Sequence, residues 1–269
     1  MHRTALRWVT MALARAQASN GVVRVKAVIG NVLQARAGSQ LASISEPRRF
    51  DAIVLAGGRG SRLGGVDKGA LPVGGRPLLE RVLEAARGAE RSVVVGEGPV
   101  PDGVLLTREE PAFGGPAAAL VAGLRALRMP SPPPKDSAAP LVLVLACDLP
   151  GAAAGVELLL ESATGTEADE ARRSTGDGIP GGCGERTTDG WCLADADGRL
   201  QWLFGLYRAT ALEQAAEALG DPAHRSMGQL FRGLNLVAVP APAWVTMDID
   251  TPQDAQRWST GDKPRPGRQ

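Results

Sequence analysis

The hydrophobic positions of this chain form short continuous runs that alternate with longer stretches of helical spacing. The run DAIVLA (51–56) ends in glycines, which is typical of a buried parallel strand that enters a loop. In PLLERVLEAARG (77–88) the apolar residues share one helical face, with a proline in the first turn and a glycine at the end. Strands are also predicted at 92–96, 103–107 and 141–150, and the last is apolar enough to be expected at the centre of a sheet.

The second half of the chain continues this alternation. The stretch 191–208 predicts a hairpin that turns at Asp197-Gly198, whereas 164–190 has no periodicity and predicts a long loop. Strands alternating with helices predict a three-layer α/β/α Rossmann-like fold with a mainly parallel sheet, which binds ligands at the carboxyl ends of its strands. The remaining predicted elements are helices at 114–128, 155–162, 209–219 and 226–232, a strand at 234–240 and a helix after Pro252.

The distribution of charge separates a basic N-terminal segment from an acidic remainder. Residues 1–49 contain eight basic side chains and one acidic side chain, so this segment carries +7 and the remainder carries −6. We expect 1–49 to be a basic extension that is disordered or dispensable, with a weakly folded arm and a targeting segment as the alternatives. The folded domain is expected at 50–258 and a disordered tail at 259–269.

Composition excludes several classes of protein. The three cysteines form no CxxC pair, which argues against a disulfide framework or a structural zinc site and favours a reducing cytoplasm. No apolar run approaches the ~20 residues that a membrane-spanning helix needs. The acidic body does not suggest binding to nucleic acid. We therefore expect a cytoplasmic protein that binds neither membranes nor nucleic acid.

The stretch LAGGRGSRLGGVDKGALPVGGRPLL (55–79) carries the strongest chemical signal. Glycines that follow a strand let backbone N–H groups approach an anion, and phosphate is the obvious guest. Two simpler phosphate loops do not fit, because GxxxxGK[ST] is absent and GxGxxG fails at Leu63. A plain tight turn is the alternative interpretation of these glycines.

This loop resembles the signature loop of nucleotidyltransferases, and most closely that of molybdenum cofactor guanylyltransferases, which belong to the MobA-like NTP transferase family. EEPAFGGPAAAL, ACDLP and DIDTPQD are similar to later motifs of that family, so the resemblance covers roughly 50–258. The chain departs from the pattern where Ala146 replaces a proline, where AAA follows Gly115-Pro116, and where Gly96 stands in place of an asparagine. The loop positions that match are Leu55, Ala56, Gly57, Gly58, Gly60, Arg62, Leu63, Gly65, Asp67 and Lys68.

The resemblance implies a nucleotidyltransferase that moves GMP from GTP to molybdopterin, releases pyrophosphate and requires Mg²⁺. It also implies contact with other proteins of molybdenum cofactor biosynthesis. Lys68, Arg62 and Asp148 would be catalytic, and Asp148 and Asp250 would bind the metal. Asp248 is a further candidate for the metal or substrate site. The implied nucleotide-binding residues are Leu55, Ala56, Gly57, Gly58, Gly60, Lys68, Glu109 and Asp148.

General chemistry supports this reading, because joining two phosphates requires positive charge around a triphosphate. Other functions stay open: a cytidylyltransferase, a sugar- or alcohol-phosphate nucleotidyltransferase, or a nucleotide-binding module without turnover. The LAGG and GGxDK motifs of the loop argue against a cytidylyltransferase.

Single residues also have alternative readings. Asp148 and Asp250 can each cap a following helix, Asp67 can buttress Lys68, and Glu109 can lie on the surface. His224 and Arg225 can contact the phosphate of the pterin, as the resemblance suggests, or be solvated. Cys147 is expected to be a packing residue.

Overall fold

The computed structural model describes residues 24–27, 49–57, 68–128, 141–175 and 187–260. The strands are β1 (Arg24–Ala27), β2 (Phe50–Leu55), β3 (Pro72–Val73), β4 (Arg76–Pro77), β5 (Ser92–Val95), β6 (Val104–Thr107), β7 (Leu141–Ala146), β8 (Gly190–Ala194), β9 (Leu200–Arg208) and β10 (Asn235–Pro240). The helices are α1 (Leu78–Ala85), α2 (Pro116–Arg128), α3 (Ala152–Thr175), α4 (Ala209–Leu219), α5 (Met227–Leu230), α6 (Ala243–Thr246) and α7 (Pro252–Ser259), and a 3-10 turn covers Lys68–Ala70.

Eight strands form one sheet in the order β1-β10-β8-β9-β7-β2-β5-β6. Within this sheet β9 runs antiparallel to its two neighbours, β7 and β8, and the other pairings are parallel. The predicted fold with a mainly parallel sheet is therefore confirmed. The most apolar strand, β7, lies inside the sheet between β9 and β2, where both of its faces are covered.

Helices cover both faces of the sheet and create two hydrophobic cores. Along β2 the side chains alternate, so Ala52 and Val54 enter one core while Ile53 and Leu55 enter the other. Helices α1 and α3 pack on the first core, and α2, α4 and α5 pack on the second. These two buried layers fix the sheet register, because a slip of one residue would exchange the two faces of a strand.

Helix α3 is longer than the sequence predicts. A helix was expected near 155–162 and a loop from 164, but α3 runs from Ala152 to Thr175. Its stretch EADEARR (167–173) consists mostly of Ala, Glu and Arg, which have high helix propensity and can extend a helix that packing has already nucleated. A search for apolar periodicity misses such a segment. The rest of the expected loop, 176–186, lies outside the described residues.

The two predicted terminal segments are described only in part. Strand β1 pairs with β10 in parallel, with Arg24 opposite Asn235, whereas the remainder of 1–48 and all of 261–269 lie outside the described residues. The assignments of an extension and a tail therefore stay predictions. In the part of the chain that the structure describes, no helix is long and apolar enough to cross a membrane.

Substitution by alanine at two glycines of α3 is expected to change the stability of the protein in opposite directions. A Cβ at Gly155 would lie 2.0 Å from Cζ of the buried Phe204, whereas a Cβ at Gly165 meets nothing within 4 Å. We expect Gly155→Ala to lower the free energy of unfolding by about 1–3 kcal/mol through overpacking. Gly165→Ala should raise it by about 0.5–1 kcal/mol, because alanine favours a helix. Urea denaturation measures both, and shifts of equal sign would contradict this packing.

Candidate active site

The carboxyl ends of four parallel strands lie at one level of the sheet. Leu55 pairs with both Ala146 and Val95, and Val95 pairs with Thr107. The β2–β7 ladder continues one residue further, where the Cys147 amide donates to the Leu55 carbonyl at 3.0 Å. The second residue after each strand therefore reaches the same edge of the sheet. These residues are Gly57, Glu97, Glu109 and Asp148.

Three of the residues singled out in the sequence meet at this edge. The Lys68 ammonium donates to Asp250 Oδ1 at 2.7 Å and to Asp148 Oδ2 at 3.2 Å. They come from positions far apart in the chain, so the contact depends on the fold and not on local sequence. One cation thus holds two carboxylates in place.

A small third core positions this cluster. Backbone hydrogen bonds link Leu71 N to the Lys68 carbonyl at 3.2 Å and Ile249 N to the Asp148 carbonyl at 2.9 Å. The side chains of Leu71 and Ile249 are buried, so each is an apolar anchor close in sequence to a charged residue of the site. This core consists of Leu71, Val73, Leu78, Ile249, Ala255 and Trp258.

The capping role considered for Asp250 is wrong. Helix α7 begins after Thr251, whose hydroxyl accepts a hydrogen bond from the Asp254 amide at 3.2 Å. The Asp254 carboxylate accepts from the Thr251 amide at 3.0 Å, which completes a capping box. The carboxylate of Asp250 is left to bind Lys68. The carboxylate of Asp148 also accepts from Lys68, and α3 begins only at Ala152.

The pKa values of Lys68 and of the neighbouring Asp248 are shifted at this site. Burial of the Lys68 ammonium opposes its charge, but hydrogen bonds and attraction from Asp250 and Asp148 outweigh this, so the pKa of Lys68 is raised. Partial burial raises the pKa of Asp248, and the negative charges of Asp250 and Asp148 add to the effect. Lys68 is therefore fully charged near neutral pH.

The donor set suits a magnesium ion that also binds phosphate. Among the described residues no group of three or more His, Cys, Asp or Glu side chains could hold a metal. Asp148 and Asp250 do, however, converge on a single cation, the Lys68 ammonium. Mg²⁺ is usually held by one or two carboxylates, with water and phosphate oxygens as its other ligands. Two carboxylates at this edge therefore fit such an ion.

Glu109 lies beside the start of the glycine loop. Its side chain is buried, so the surface placement considered for it is wrong. Oε1 accepts a hydrogen bond from the Phe113 amide at 3.1 Å, and a Cβ at Gly57 would lie 3.9 Å from Oε2. A carboxylate in this place can accept hydrogen bonds from a ligand that lies along Gly57.

Gly96 faces the same loop from the next strand. A Cβ at Gly96 would lie 3.0 Å from the Ala56 carbonyl carbon and 3.2 Å from the Ala56 Cβ. Such contacts are too short for a side chain without a shift of the backbone. This explains physically why glycine occupies the position where the resembled family has asparagine, and it means that Gly96 offers a ligand backbone alone.

Other predicted residues are only partly placed. Gly58, Gly60, Arg62 and Asp67 lie outside the described residues, so their assignments stay predictions. The His224 amide donates to the Gly114 carbonyl at 2.6 Å, which brings the 220–226 segment against the loop that carries Glu109. The phosphate contacts suggested for His224 and Arg225 stay predictions. Cys147 is buried in the first core, as expected of a packing residue.

Sequence reasoning missed two charged residues at this edge. Arg108 and Glu97 form an ion pair across the ends of β6 and β5. Their signal was positional, because each follows a predicted parallel strand within two residues. No motif marks them.

Comparison with known proteins identifies the family. The family model described as MobA-like NTP transferase domain matches residues 52–237, which include most of β2, the glycine loop, Asp148 and most of the sheet. The chain belongs to this family. The resemblance found in the glycine loop is thereby confirmed.

Curated relatives are similar to part of this chain. A molybdenum cofactor guanylyltransferase of Burkholderia orbicola is 37% identical over 110 residues, which cover 36% of this chain and 48% of the relative. One from Pseudomonas fluorescens is 32% identical over 112 residues, covering 39% and 51%. The chain thus spans about half the length of the curated relatives it matches.

Solved structures share the fold of this MobA-like domain. A nucleotidyl transferase from Methanothermobacter superposes with a TM-score of 0.52 at 21% identity, covering 80% of this chain and 98% of that one. A 4-diphosphocytidyl-2C-methyl-D-erythritol synthase gives a TM-score of 0.50 at 16% identity, covering 80% and 99%. At this identity the likeness establishes the fold alone.

Asp248 makes the stability of the domain depend on pH. Its pKa is raised above the ordinary value of 3.8, so the folded state binds this proton more tightly than the unfolded state. Stability therefore falls as pH rises from that ordinary value through the raised one. We expect Asp248→Asn to raise the melting temperature at neutral pH and to lose this advantage below pH 3.8. Thermal denaturation across pH tests this, and an advantage that persists in acid would contradict it.

Proposed function

We propose that this chain is a guanylyltransferase that moves GMP from GTP to the molybdopterin form of the molybdenum cofactor and releases pyrophosphate. The observation that carries the proposal is the convergence of Lys68, Asp148 and Asp250 at the carboxyl edge of the sheet. Membership of the MobA-like family supports nucleotidyl transfer. The names of the curated relatives support guanine as the base and the molybdenum cofactor as the acceptor.

The transfer is one substitution at phosphorus. An oxygen of the acceptor's terminal phosphate attacks the α-phosphorus of GTP and forms a new P–O bond. The bond from that phosphorus to the oxygen that bridges the α- and β-phosphates breaks, and pyrophosphate leaves with the electron pair. Both reactants are anions, so catalysis consists of positioning and of neutralising charge.

Lys68 is the cationic residue that the described structure places between Asp148 and Asp250. Its ammonium lies at the edge where the glycine loop, Asp148 and Asp250 meet, and it is charged near neutral pH. It would donate hydrogen bonds to phosphate oxygens and stabilise the pyrophosphate that leaves. Arg62, which lies outside the described residues, is proposed to share this role.

Asp148 and Asp250 are proposed to hold Mg²⁺. When bound, the ion would neutralise part of the charge of the triphosphate and orient it. Asp248 interacts electrostatically with both carboxylates and stays a further candidate for this site. The two carboxylates already converge on a cation, which supports this assignment more than their sequence motifs alone do.

The nucleotide is proposed to lie along the end of β2. The backbone of Leu55, Ala56 and Gly57 would face the base and sugar, and Glu109 would accept hydrogen bonds from guanine. Gly58 and Gly60 are assigned to the phosphates.

The reaction is proposed to take place in the cytoplasm, together with other proteins of molybdenum cofactor biosynthesis. The buried thiol of Cys192 forms no disulfide in the described structure, which suits a reducing compartment. Burial raises the pKa of the Cys192 thiol to about 12 and so keeps it unreactive.

A nucleotide panel tests the proposed function. Purified chain, Mg²⁺ and molybdopterin are mixed with GTP or CTP, and pyrophosphate release is measured with and without the acceptor. Release that requires both GTP and acceptor is the expected result. Release with CTP and not with GTP would show that the base is cytosine. Release with a sugar phosphate and not with molybdopterin would show a different acceptor. GTP binding without release would indicate a nucleotide-binding module without turnover.

Loss of one carboxylate should affect turnover and not folding. We expect Asp148→Asn to reduce the rate of pyrophosphate release about 10²- to 10³-fold, as removal of a preorganised electrostatic group does in other enzymes. The control is Asp102→Asn, because Asp102 is exposed and precedes β6, at the opposite edge of the sheet. Circular dichroism should show both variants folded. Equal rates of pyrophosphate release for the two variants would show that Asp148 has no role in catalysis.

A further inference from the structure

The aromatic ring of Phe113 is exposed to solvent, and the backbone of this residue has an unfavourable conformation. Its side chain is 49% exposed, although most large apolar side chains of the described residues are covered. Its φ is 62°, in the left-handed region that residues with a Cβ avoid. A strained, exposed aromatic residue beside a candidate site is a candidate for ligand contact.

Contacts on both sides of the residue hold this conformation. The Phe113 amide donates to Glu109 Oε1 at 3.1 Å. The Gly114 amide donates to the Pro111 carbonyl at 3.0 Å, and the Gly114 carbonyl accepts from the His224 amide at 2.6 Å. These hydrogen bonds fix the backbone at Phe113, while the ring itself stays half exposed.

Glu109 places the Phe113 ring near the start of the glycine loop, because its two carboxylate oxygens face Phe113 and Gly57. One carboxylate oxygen binds the Phe113 amide, and the other lies 3.9 Å from the Cβ position of Gly57. The Glu109 carboxylate thus lies between the Phe113 amide and Gly57, which follows β2. Arg108 places its guanidinium carbon 5.7 Å from the ring centroid and pairs with Glu97, which ties the ring to the ends of β5 and β6.

We propose that Phe113 is the platform on which the guanine base of bound GTP stacks. This inference rests on the proposed function and deepens it. A purine is a flat aromatic ligand, and stacking on an aromatic side chain stabilises it without regard to its hydrogen-bonding edge. Glu109, attached to the same loop, is placed to accept hydrogen bonds from that edge.

The base of GTP fits this place better than the pterin of the acceptor. Phe113 belongs to the side of the sheet formed by β2, β5 and β6, whereas Asp148 follows β7 and pairs with Lys68. If the α-phosphate reacts beside Lys68, the base of the same nucleotide extends along Gly57 towards Glu109. Gly96 cannot carry a side chain without a backbone shift, so Phe113 supplies contact area that Gly96 lacks.

The decisive variant is Phe113→Gly, because glycine removes the ring and also tolerates the left-handed backbone. We expect its melting temperature to equal or exceed that of the wild type. Its dissociation constant for GTP, measured by titration calorimetry with Mg²⁺, should rise about 5- to 100-fold, as expected for loss of one stacked base. Its affinity for inorganic tripolyphosphate should not change, because that probe has no base.

Two further variants complete the test. Phe113→Trp should bind GTP about as well as the wild type, since it keeps an aromatic face. Leu106→Ala should also leave GTP affinity unchanged, because Leu106 is as exposed (48%) but lies within β6. Unchanged GTP affinity in Phe113→Gly, or an equal loss for tripolyphosphate, would overturn the inference. Failure of the wild type to bind GTP would instead refute the proposed function.

Discussion

The contact on which the site depends is the Lys68 ammonium held between the carboxylates of Asp148 and Asp250. Two carboxylates this close repel each other, and a cation between them makes the arrangement stable. The contact joins the end of the glycine loop, the end of the central strand and the segment before the last helix. Each partner keeps the other two at the edge where a triphosphate would lie.

The fold produces this contact through two independent constraints. Buried side chains on both faces of the parallel sheet set the register, so the residues after β2 and β7 arrive at the same level. The small core around Leu71 and Ile249 then brings Lys68 and Asp250 to Asp148. Packing far from any ligand therefore determines the distances between the charged groups.

Much of this was predictable from the sequence, for identifiable reasons. The apolar run of β7 and its position inside the sheet follow from burial on both faces, and the glycine loop and Asp148 lie at strand ends where such folds bind ligands. The second half of α3 was missed because helix propensity, and not an apolar face, sustains it. The left-handed backbone of Phe113 was also missed, because it accompanies a hydrogen bond to the Glu109 side chain and a distant one between Gly114 and His224, which no sequence pattern marks.

We propose that these two carboxylates hold a divalent cation that also binds the triphosphate, while Lys68 binds phosphate oxygens. Anomalous X-ray scattering from crystals grown with Mn²⁺ and a non-hydrolysable GTP analogue measures this directly. We expect a manganese peak in contact with Asp148 and Asp250, with Lys68 Nζ within hydrogen-bonding distance of the phosphates. A peak at a site that touches neither carboxylate would contradict it.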